Sequence, residues 1–267
     1  MLLKLLNSIG RKDKSLRDIF FNHDGKVADK WESYLRIYEE EFEKCRNTKG
    51  IILEVGVQNC GSLEIWAQYF ARAKQIIGID VLQEIEKLHF SDGRIETITC
   101  DAKEVSISPK LRNITPSVVV DDASHKSLDI IVTFLGLFPL LEEGGLYVIE
   151  DLCCSYWSKF NTPSGISSMD FFKGLVDLLN EEHRTTAQGD IAKYILDVTG
   201  SKATFARDYE KMIGTIRSVK FYNSMCFIQK CSTDEASLIG ARIVRGSEAP
   251  LGFRAPNGQD IADIRGS

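Results

Sequence analysis

The stretch that decides the fold is residues 51–66, which read IILEVGVQNCGSLEIW. Its first five residues, Ile51–Val55, form a nearly unbroken apolar run, which is typical of a strand buried on both faces of a sheet. Gly56 and Gly61 bracket a short turn, and a helical spacing of apolar residues begins at Leu63. A strand, a tight turn and a helix in this order predict the first unit of a parallel α/β sheet.

The same alternation continues along the chain. Further strands are predicted over residues 75–80, 95–101, 117–120, 145–149, 213–219 and 221–229. Helices are predicted over residues 27–46, 63–73, 127–141 and 171–180. Short apolar strands that alternate with helical segments predict an α/β fold with a doubly wound, Rossmann-like, mostly parallel sheet flanked by helices.

Three regions are predicted from the change of pattern along the chain. Residues 1–49 form an N-terminal helical cap, in which one amphipathic helix presents the apolar side chains of Trp31, Leu35, Tyr38 and Phe42. Residues 50–231 form the α/β domain. Residues 232–267 form a polar C-terminal tail that is rich in glycine and charge.

Composition excludes several classes of partner. The net charge is −5 and the pI is about 5.5, so we expect no nucleic acid partner, because no basic stripe faces a phosphate backbone. Seven cysteines without zinc spacing indicate reduced thiols in a cytoplasmic protein. The apolar start, Met1 to Leu6, is too short to span a bilayer, so we expect no membrane span.

Acidic residues follow two neighbouring predicted strands. Asp121 and Asp122 close the strand of residues 117–120, and Glu150 and Asp151 close the strand of residues 145–149. Because the carboxyl ends of parallel strands meet at one edge of a sheet, we expect the carboxylates of Asp122, Glu150 and Asp151 to cluster there. Such a cluster needs a cation, and Mg²⁺ or Mn²⁺ prefers oxygen ligands.

His125 follows Asp122 by three residues, which places it beside the predicted metal site as a candidate general base. The alternative for His125 is a residue that only caps or packs the start of the helix that follows.

The turn after the first strand predicts the cofactor. It is neither a Walker loop nor the G-x-G-x-x-G loop of dinucleotide enzymes, because Gln58 stands at the second glycine position. A pyrophosphate needs very close backbone approach at that point. S-adenosylmethionine, with its amino acid and nucleoside parts, needs one close approach at Gly56 and a hydrogen-bonding turn at Gly61 and Ser62.

Three further acids lie in or at the ends of the first three strands: Glu54, Asp80 and Asp101. Asp80 is placed to accept hydrogen bonds from ribose hydroxyls, as an acid does in nucleotide sites of this architecture. Asp101 would then reach the adenine amino group. All three are therefore predicted around the cofactor, and the alternative is that they are solvated strand ends.

Several motifs together resemble the metal-dependent macrocin/mycinamicin-type sugar O-methyltransferases. The resemblance rests on residues 53–66, on Asp122 with His125, on residues 148–152 with residues 155–157, and on residues 221–225. More distantly they resemble the cephalosporin hydroxylase-associated methyltransferases and the catechol O-methyltransferase arrangement. The resemblance covers roughly residues 27 to 230.

This resemblance implies the class I methyltransferase sheet, with seven strands in the order 3-2-1-4-5-7-6 and the last strand antiparallel. It implies S-adenosylmethionine as methyl donor, Mg²⁺ or Mn²⁺ held by Asp122, Glu150 and Asp151, and His125 as general base. It also places Gly56, Ser62 and Asp80 around the cofactor.

The chain departs from the family pattern at Cys60, where a glycine is expected, and at Cys153 and Cys154 after the metal pair. The first departure bears on the fit of the methionine part of the cofactor, and the second on the shape of the acceptor pocket.

The predicted reaction is methyl transfer to a hydroxyl of a sugar, a glycosylated natural product or a polysaccharide. The expected acceptor is a small molecule or glycan with vicinal hydroxyls, and we expect a homo-oligomer. Three alternatives stay open: a catechol or other phenol as acceptor, a non-catalytic module that binds S-adenosylmethionine, and a nicotinamide-dependent oxidoreductase. The last explains neither Gln58 nor the carboxylate cluster.

Overall fold

The computed structural model describes residues 14–107, 109–162, 165–180, 214–231, 243–246 and residue 250. Within these residues seven strands form one sheet: β1 (Ile51–Val55), β2 (Gln75–Asp80), β3 (Ile95–Thr99), β4 (Pro116–Asp121), β5 (Leu146–Ile149), β6 (Ile216–Tyr222) and β7 (Met225–Lys230). Five α-helices accompany it: α1 (Leu16–Phe21), α2 (Glu32–Phe42), α3 (Gly61–Tyr69), α4 (Ser127–Leu137) and α5 (Ser168–Leu178).

The order of the strands is β3-β2-β1-β4-β5-β7-β6, which confirms the predicted topology. Strands β1 to β5 pair in parallel, whereas β7 pairs antiparallel with both β5 and β6. In register, Val55 of β1 lies beside Asp121 of β4, and Asp121 lies beside Ile149 of β5. The residues that directly follow these three strands therefore lie at the same edge of the sheet, where open α/β sheets bind ligands. They are Gly56, Asp122 and Glu150.

Apolar side chains cover both faces of the sheet, as the near-continuous apolar strands predict. On one face, Phe134 of α4 and Phe171 and Phe172 of α5 pack on one another and on Tyr147. These buried rings fix the helices that follow β4 and β5 and hence the edge that carries the site.

On the other face, helices α1, α2 and α3 pack against the sheet. Phe42 of α2 contacts the rings of Trp66, Phe70 and Phe227 and is fully buried. Deletion of such a ring typically costs about 3–5 kcal/mol, so α2 is an integral part of the core. The N-terminal region thus packs on the face of the sheet.

The helix predicted from Val27 begins only at Glu32, and the prediction that Trp31 joins its apolar stripe is wrong. Trp31 has extended backbone angles and is 66% exposed. The preceding residues run across the start of α3, where a Cβ on Gly61 would lie 2.2 Å from the Lys26 carbonyl oxygen. This close backbone contact explains why Gly61 is needed, and it places Lys26 and Val27 against the start of α3.

Other helix bounds differ by a few residues. Helix α3 begins two residues before the predicted start and ends at Tyr69, because Phe70 leaves the helical region with a ψ of 63°. Helix α5 begins at Ser168, since Ser167 caps it. Helix α4 ends at Leu137 and continues as a 3-10 turn that contains Pro139.

The chain divides into two units, residues 1–232 and residues 233–267, and the description that follows concerns the first. The predicted boundaries at residues 49 and 231 stay predictions. The apolar segment Met1 to Leu6 and nearly all of the predicted polar tail lie outside the described residues. No disulfide links the seven cysteines, all of which the structure describes. Among the described helices, none combines the length and the apolar character needed to cross a bilayer.

Candidate active site and metal centre

A cavity of about 630 Å³ opens at the carboxyl edge of the sheet. The turn after β1, the end of β2, the turns after β4 and β5, and the segment Val27–Trp31 all contribute to its wall. Seven of the predicted site residues line it: Gly56, Ser62, Asp80, Asp122, His125, Glu150 and Asp151. The structure therefore brings the predicted cofactor loop and the predicted metal ligands to one cavity.

Gly56 has a left-handed backbone with a φ of +85°, and it packs against the turn after β4. A Cβ at this position would lie 2.2 Å from the Asp122 carbonyl oxygen and 2.6 Å from the Ala123 Cα. The close approach that requires glycine is therefore made to the chain's own backbone. This contact holds the cofactor loop directly against the carboxylate cluster.

Asp80 organises the cofactor loop. Its Oδ2 accepts hydrogen bonds from the backbone N–H groups of Val57, at 3.0 Å, and Gln58, at 2.8 Å. Its Oδ1 accepts a third from Leu82 at 3.1 Å. A carboxylate has about four acceptor positions, so Asp80 retains capacity for a ligand hydroxyl at the cavity wall.

Asp101 lies in a second cavity of about 300 Å³, which shares Gly56, Asp80 and Ala123 with the first. Its carboxylate accepts a hydrogen bond from the Lys103 backbone N–H at 3.0 Å and lies 3.5 Å from the Lys103 ammonium. The two cavities together span from the carboxylate cluster past the end of β2 to the end of β3.

Glu54 and Gly61 do not line either of these two cavities. Glu54 is 1% exposed, and its Oε2 accepts a hydrogen bond of 2.5 Å from the Ser62 hydroxyl. Ser62 itself reaches the cavity wall. Glu54 thus holds the side chain of the wall residue Ser62. Gly61 makes a close backbone contact with Lys26.

A lysine occupies the centre of the carboxylate cluster. The Lys30 Nζ lies 2.7 Å from Glu150 Oε1 and 3.5 Å from Glu54 Oε1, and it donates to Asp122 Oδ2. The Lys30 side chain is only 5% exposed. The sequence predicts that this cluster needs a cation, but it does not reveal that Lys30 of the same chain supplies one.

Electrostatics keep Lys30 charged. Burial alone lowers the pKa of Lys30, but the surrounding carboxylates raise it well above its ordinary value. Burial also raises the pKa of Glu150 and of Asp122, and the Lys30 ammonium opposes both shifts. The cluster is therefore a buried, mutually dependent set of charges.

Two tyrosines of α2 donate hydrogen bonds to the acids after β5. The Tyr38 hydroxyl donates to Glu150 Oε1 at 2.5 Å, and the Tyr34 hydroxyl donates to Asp151 Oδ1 at 2.7 Å. The apolar spacing of this helix predicts Tyr38 as a core residue, and both tyrosines are indeed buried. Their hydroxyls are nevertheless part of the site, and the four-residue spacing of Lys30, Tyr34 and Tyr38 is the signal that finds them.

His125 lines the same cavity, beside Asp151. Its Nε2 is 3.8 Å from Asp151 Oδ2. Asp122, His125 and Asp151 each offer a ligand atom, and these atoms lie within 4.8 Å of one another. A second group within the same distance consists of Glu54, Asp122 and Glu150. Asp122 belongs to both groups. Of the other two predicted metal ligands, Asp151 belongs to the group with His125, and Glu150 belongs to the group with Glu54.

The donor chemistry of the His125 side fits a hard divalent cation. Asp122 and Asp151 present carboxylate oxygens at the cavity wall, and each side chain keeps some exposure, 19% and 25%. Oxygen ligands with positions left for water or substrate suit Mg²⁺ or Mn²⁺. Glu150 Oε1 is already bonded to Lys30 and Tyr38, so only its second oxygen is open to a metal.

Asp121 points away from Asp122, as strand alternation predicts. It is buried, and it accepts a hydrogen bond from the Tyr147 hydroxyl at 3.3 Å. Burial raises the pKa of Asp121 to about 7. Asp121 therefore belongs to the interior and not to the cavity.

No protein family model matches the chain. Curated O-methyltransferases are similar to it. The 8-demethyl-8-alpha-L-rhamnosyl tetracenomycin-C 2'-O-methyltransferase of Streptomyces olivaceus is 29% identical over 235 residues, which cover 83% of this chain and 56% of that protein. The mycinamicin VI 2''-O-methyltransferase of Micromonospora griseorubida is 33% identical over 159 residues, which cover 54% and 39%. The demethylmacrocin O-methyltransferase of Streptomyces fradiae is 32% identical over 173 residues, which cover 58% and 43%. The chain thus spans about half the length of the curated relatives it matches.

Solved structures of the MycE methyltransferase from the mycinamycin biosynthetic pathway are similar in fold. The complex with Mg and SAH has a TM-score of 0.66 and 24% identity, and the match covers 88% of this chain and 58% of that chain. The complex with Mg, SAH and mycinamycin VI has a TM-score of 0.64. The chain therefore has the class I methyltransferase fold, and in sequence it resembles the macrocin/mycinamicin-type sugar O-methyltransferases, as its motifs predicted.

Proposed function

We propose that the chain is an S-adenosylmethionine- and divalent-metal-dependent O-methyltransferase that acts on a hydroxyl of a sugar or of a glycosylated molecule. The observation that carries the proposal is the shared cavity of about 630 Å³, into which both the cofactor loop and the group Asp122, His125 and Asp151 open. A methyl donor and a hydroxyl acceptor must be held next to each other, and one cavity lined by both groups of residues supports this.

The residues after β1, β2 and β3 would hold the cofactor. Asp80 keeps acceptor capacity for ribose hydroxyls while it fixes the loop through the N–H groups of Val57 and Gln58. Asp101 stands in the adjoining cavity, in position for the adenine amino group. Ser62 would contact the methionine part of the cofactor. Glu54 would fix Ser62 through its hydrogen bond, and Gly61 would fix the neighbouring backbone through its contact with Lys26.

Asp122 and Asp151, with the open oxygen of Glu150, would hold the metal ion. When bound, a divalent cation lowers the pKa of a coordinated hydroxyl and fixes its direction. The chain's own part is to present negatively charged oxygens at the cavity wall. Tyr34 and Tyr38 assist, because their hydrogen bonds fix the orientation of the Asp151 and Glu150 carboxylates.

His125 would take the proton of the acceptor hydroxyl at its Nε2. Neutral imidazole accepts protons near neutral pH, and general base catalysis of this kind contributes about 10²–10⁴-fold. Asp151 Oδ2, 3.8 Å from this nitrogen, would stabilise the imidazolium that forms. The ring is 27% exposed, so it can reach an acceptor in the cavity.

A sugar ring as acceptor is supported by the relatives, whose names describe methylation of rhamnosyl and other glycosylated compounds. It is also supported by Trp31, which lines the cavity and is 66% exposed. An aromatic face at the rim can cover the apolar face of a sugar. If both hydroxyls of a vicinal diol bind the metal, the way in which they bind would determine which of the two oxygens reacts.

The decisive experiment is a methyl transfer assay with the purified chain, S-adenosylmethionine and three acceptors: a rhamnoside with vicinal hydroxyls, its 2-deoxy analogue and catechol. Mass spectrometry follows product, with added Mg²⁺ and with EDTA in parallel. We expect methylation of the rhamnoside, a loss of activity with EDTA and poor turnover of the deoxy analogue.

Preferred turnover of catechol would replace the sugar by a phenol as acceptor. Cofactor binding by calorimetry without transfer to any of the acceptors would indicate a non-catalytic binding module instead. The predicted homo-oligomer is checked on the same sample by light scattering.

A further inference from the structure

Lys30 has no part in the function proposed above, yet it is the most buried cation among the described site residues. It lies on the extended segment Val27–Trp31, between α1 and α2. Its ammonium contacts the carboxylates of Glu54 in β1, Asp122 after β4 and Glu150 after β5. A buried carboxylate without a partner is strongly unfavourable, and three together are more so. Lys30 therefore supplies the positive charge without which the cluster would repel itself.

Asp122 is shared between the Lys30 ion pairs and the candidate metal centre. Its Oδ2 accepts from Lys30, and the same residue belongs to the group with His125 and Asp151. An ammonium and a divalent cation on one carboxylate repel each other, and the repulsion is large at separations of about 4 Å in a partly buried site. The ammonium also withdraws electron density from the oxygens that a metal would use.

We propose that Lys30 is a resident counter-cation of the carboxylate cluster and that a divalent cation must displace it from Asp122 in order to bind. Glu150 and Glu54 remain as partners for the ammonium, so the displacement breaks one of its three ion pairs and leaves the other two. The inference rests on the metal dependence of the proposed function. In this role Lys30 is a positioning residue, because it acts on the metal centre through Asp122.

The position of Lys30 couples this exchange to the cavity. The residues on either side of it, Val27–Trp31, line the cavity wall, and Trp31 stands at its rim. A shift of the Lys30 side chain away from Asp122 would therefore change the wall against which an acceptor packs. Metal binding and acceptor binding would be linked through this one segment.

The first test measures Mn²⁺ binding by electron paramagnetic resonance in the wild type, in Lys30→Met and in the control Lys173→Met. Lys173 loses the same charge, but it lies on α5 and pairs with Asp170. We expect Lys30→Met to bind Mn²⁺ more tightly by roughly tenfold or more, because a repelling charge is removed. The control is expected to match the wild type. Equal or weaker Mn²⁺ affinity in Lys30→Met would overturn the proposal.

The second test uses the wild type, so it does not depend on how well a variant folds. Lysines are labelled by reductive methylation with and without saturating Mn²⁺, and the rate at Lys30 is read by peptide mass spectrometry. We expect Mn²⁺ to accelerate labelling of Lys30 severalfold, because the ammonium leaves its closest carboxylate. Lys26, which pairs with Glu64, and Lys173 serve as internal references that stay unchanged. An unchanged or slower rate at Lys30 would contradict displacement.

Neither test uses S-adenosylmethionine or an acceptor, so failure here is distinguishable from failure of the proposed function. Mn²⁺ binding that is indifferent to Lys30 would refute the counter-cation and leave metal-dependent methyl transfer intact. Absence of Mn²⁺ binding from both the wild type and Lys30→Met would refute both ideas at once.

Discussion

Two residues of the site adopt backbone conformations that L-amino acids avoid. His125 has a φ of 56° and Asp151 a φ of 52°, both in the left-handed region. Such conformations cost about 1–3 kcal/mol each, and they persist only where the surroundings enforce them. Asp151 is held by the Tyr34 hydroxyl on its carboxylate and by the capped turn that follows it. The strain places the His125 ring and the Asp151 carboxylate side by side at the cavity.

We predict that His125→Ala lowers kcat for a sugar acceptor by about 10²–10⁴-fold, because the proton acceptor is lost. Affinity for S-adenosylmethionine is expected to stay unchanged, since His125 lies beside Asp151 and is not among the residues predicted to hold the cofactor. Steady-state kinetics and calorimetry check the two parts. His89→Ala, at an exposed position outside the cavity, is the matched control. Wild-type kcat in His125→Ala would remove the histidine from the mechanism.

The two tyrosine hydroxyls are predicted to differ in their contribution to stability. Tyr38→Phe leaves the buried Glu150 carboxylate with one donor fewer, which costs about 1–3 kcal/mol. Tyr34→Phe is expected to cost less, because Asp151 is 25% exposed and water can replace the hydroxyl. Urea denaturation of both variants measures the difference. An equal loss of stability in the two variants would mean that burial of the acceptor carboxylate does not determine the size of the loss.

At the scale of elements, α2 connects the site to the far end of the sheet. Near its start it carries Tyr34 and Tyr38, and near its end Glu41 accepts hydrogen bonds from Lys220 at 2.9 Å and from Tyr222 at 2.5 Å. Phe42 fills the core between these polar contacts. The helix is therefore fixed at both ends of its length.

The sequence predicts the strands well and the segment before α2 poorly. Apolar runs that end in acids specify β1 to β5 almost to the residue, because burial on both faces leaves little freedom. The start of α2 is different, since no Ser, Thr, Asp or Asn caps it and Trp31 continues the apolar spacing. The segment before the helix lies instead against Gly61, which is 35 positions after Lys26 along the chain. Local pattern carries no information about such a contact.

Helix α5 offers a test of local sequence signals. Ser167 accepts from the Asp170 backbone N–H at 3.1 Å, and the Asp170 carboxylate accepts from the Ser167 backbone N–H at 3.3 Å, which is a capping box. We predict that Ser167→Ala destabilises the protein by about 1 kcal/mol. Asp177→Asn, on the last turn of the same helix, is the control and is not expected to destabilise, because an acid there opposes the helix dipole.

The cap is also predicted to depend on pH. Hydrogen bonds from Lys173 and Ser167 lower the pKa of Asp170 below its ordinary value of 3.8. A lowered pKa in the folded state contributes stability above the ordinary pKa, and this contribution is lost as the pH falls through the folded value. Asp170→Asn is therefore expected to be less stable than the wild type at pH 7 and equally stable at the acid end. Chemical denaturation at a series of pH values checks this, and a difference that persists in acid would exclude ionisation as its cause.

At the scale of the whole molecule, topology predicts where the acids of the site meet but not how they share their charges. The strand order brings Asp122, Glu150 and Asp151 to one edge, as the sequence indicates. It does not reveal that Lys30 enters from the N-terminal region, because this pairing joins residues 92 positions apart. A cluster predicted to need an external cation thus turns out to contain an internal one.

This internal cation leads to a prediction about the unfolding of the whole chain. The wild type is expected to stay folded in EDTA, since Lys30 already balances the cluster. Lys30→Met in EDTA is expected to be about 3–5 kcal/mol less stable, because the two buried carboxylates Glu54 and Glu150 and the partly buried Asp122 lose their partner.

Added Mg²⁺ stabilises a folded protein by RT ln(1 + [Mg²⁺]/Kd), about 2.7 kcal/mol at one hundred times Kd. If Lys30 competes with the metal, the wild type has the weaker affinity, so the same Mg²⁺ concentration raises its Tm less than that of Lys30→Met. For a domain of this size 1 kcal/mol corresponds to about 2–4 °C. Differential scanning fluorimetry with EDTA and with increasing Mg²⁺, and with Lys173→Met as control, measures both shifts. Parallel shifts in the wild type and Lys30→Met would mean that the ammonium and the metal occupy the cluster independently.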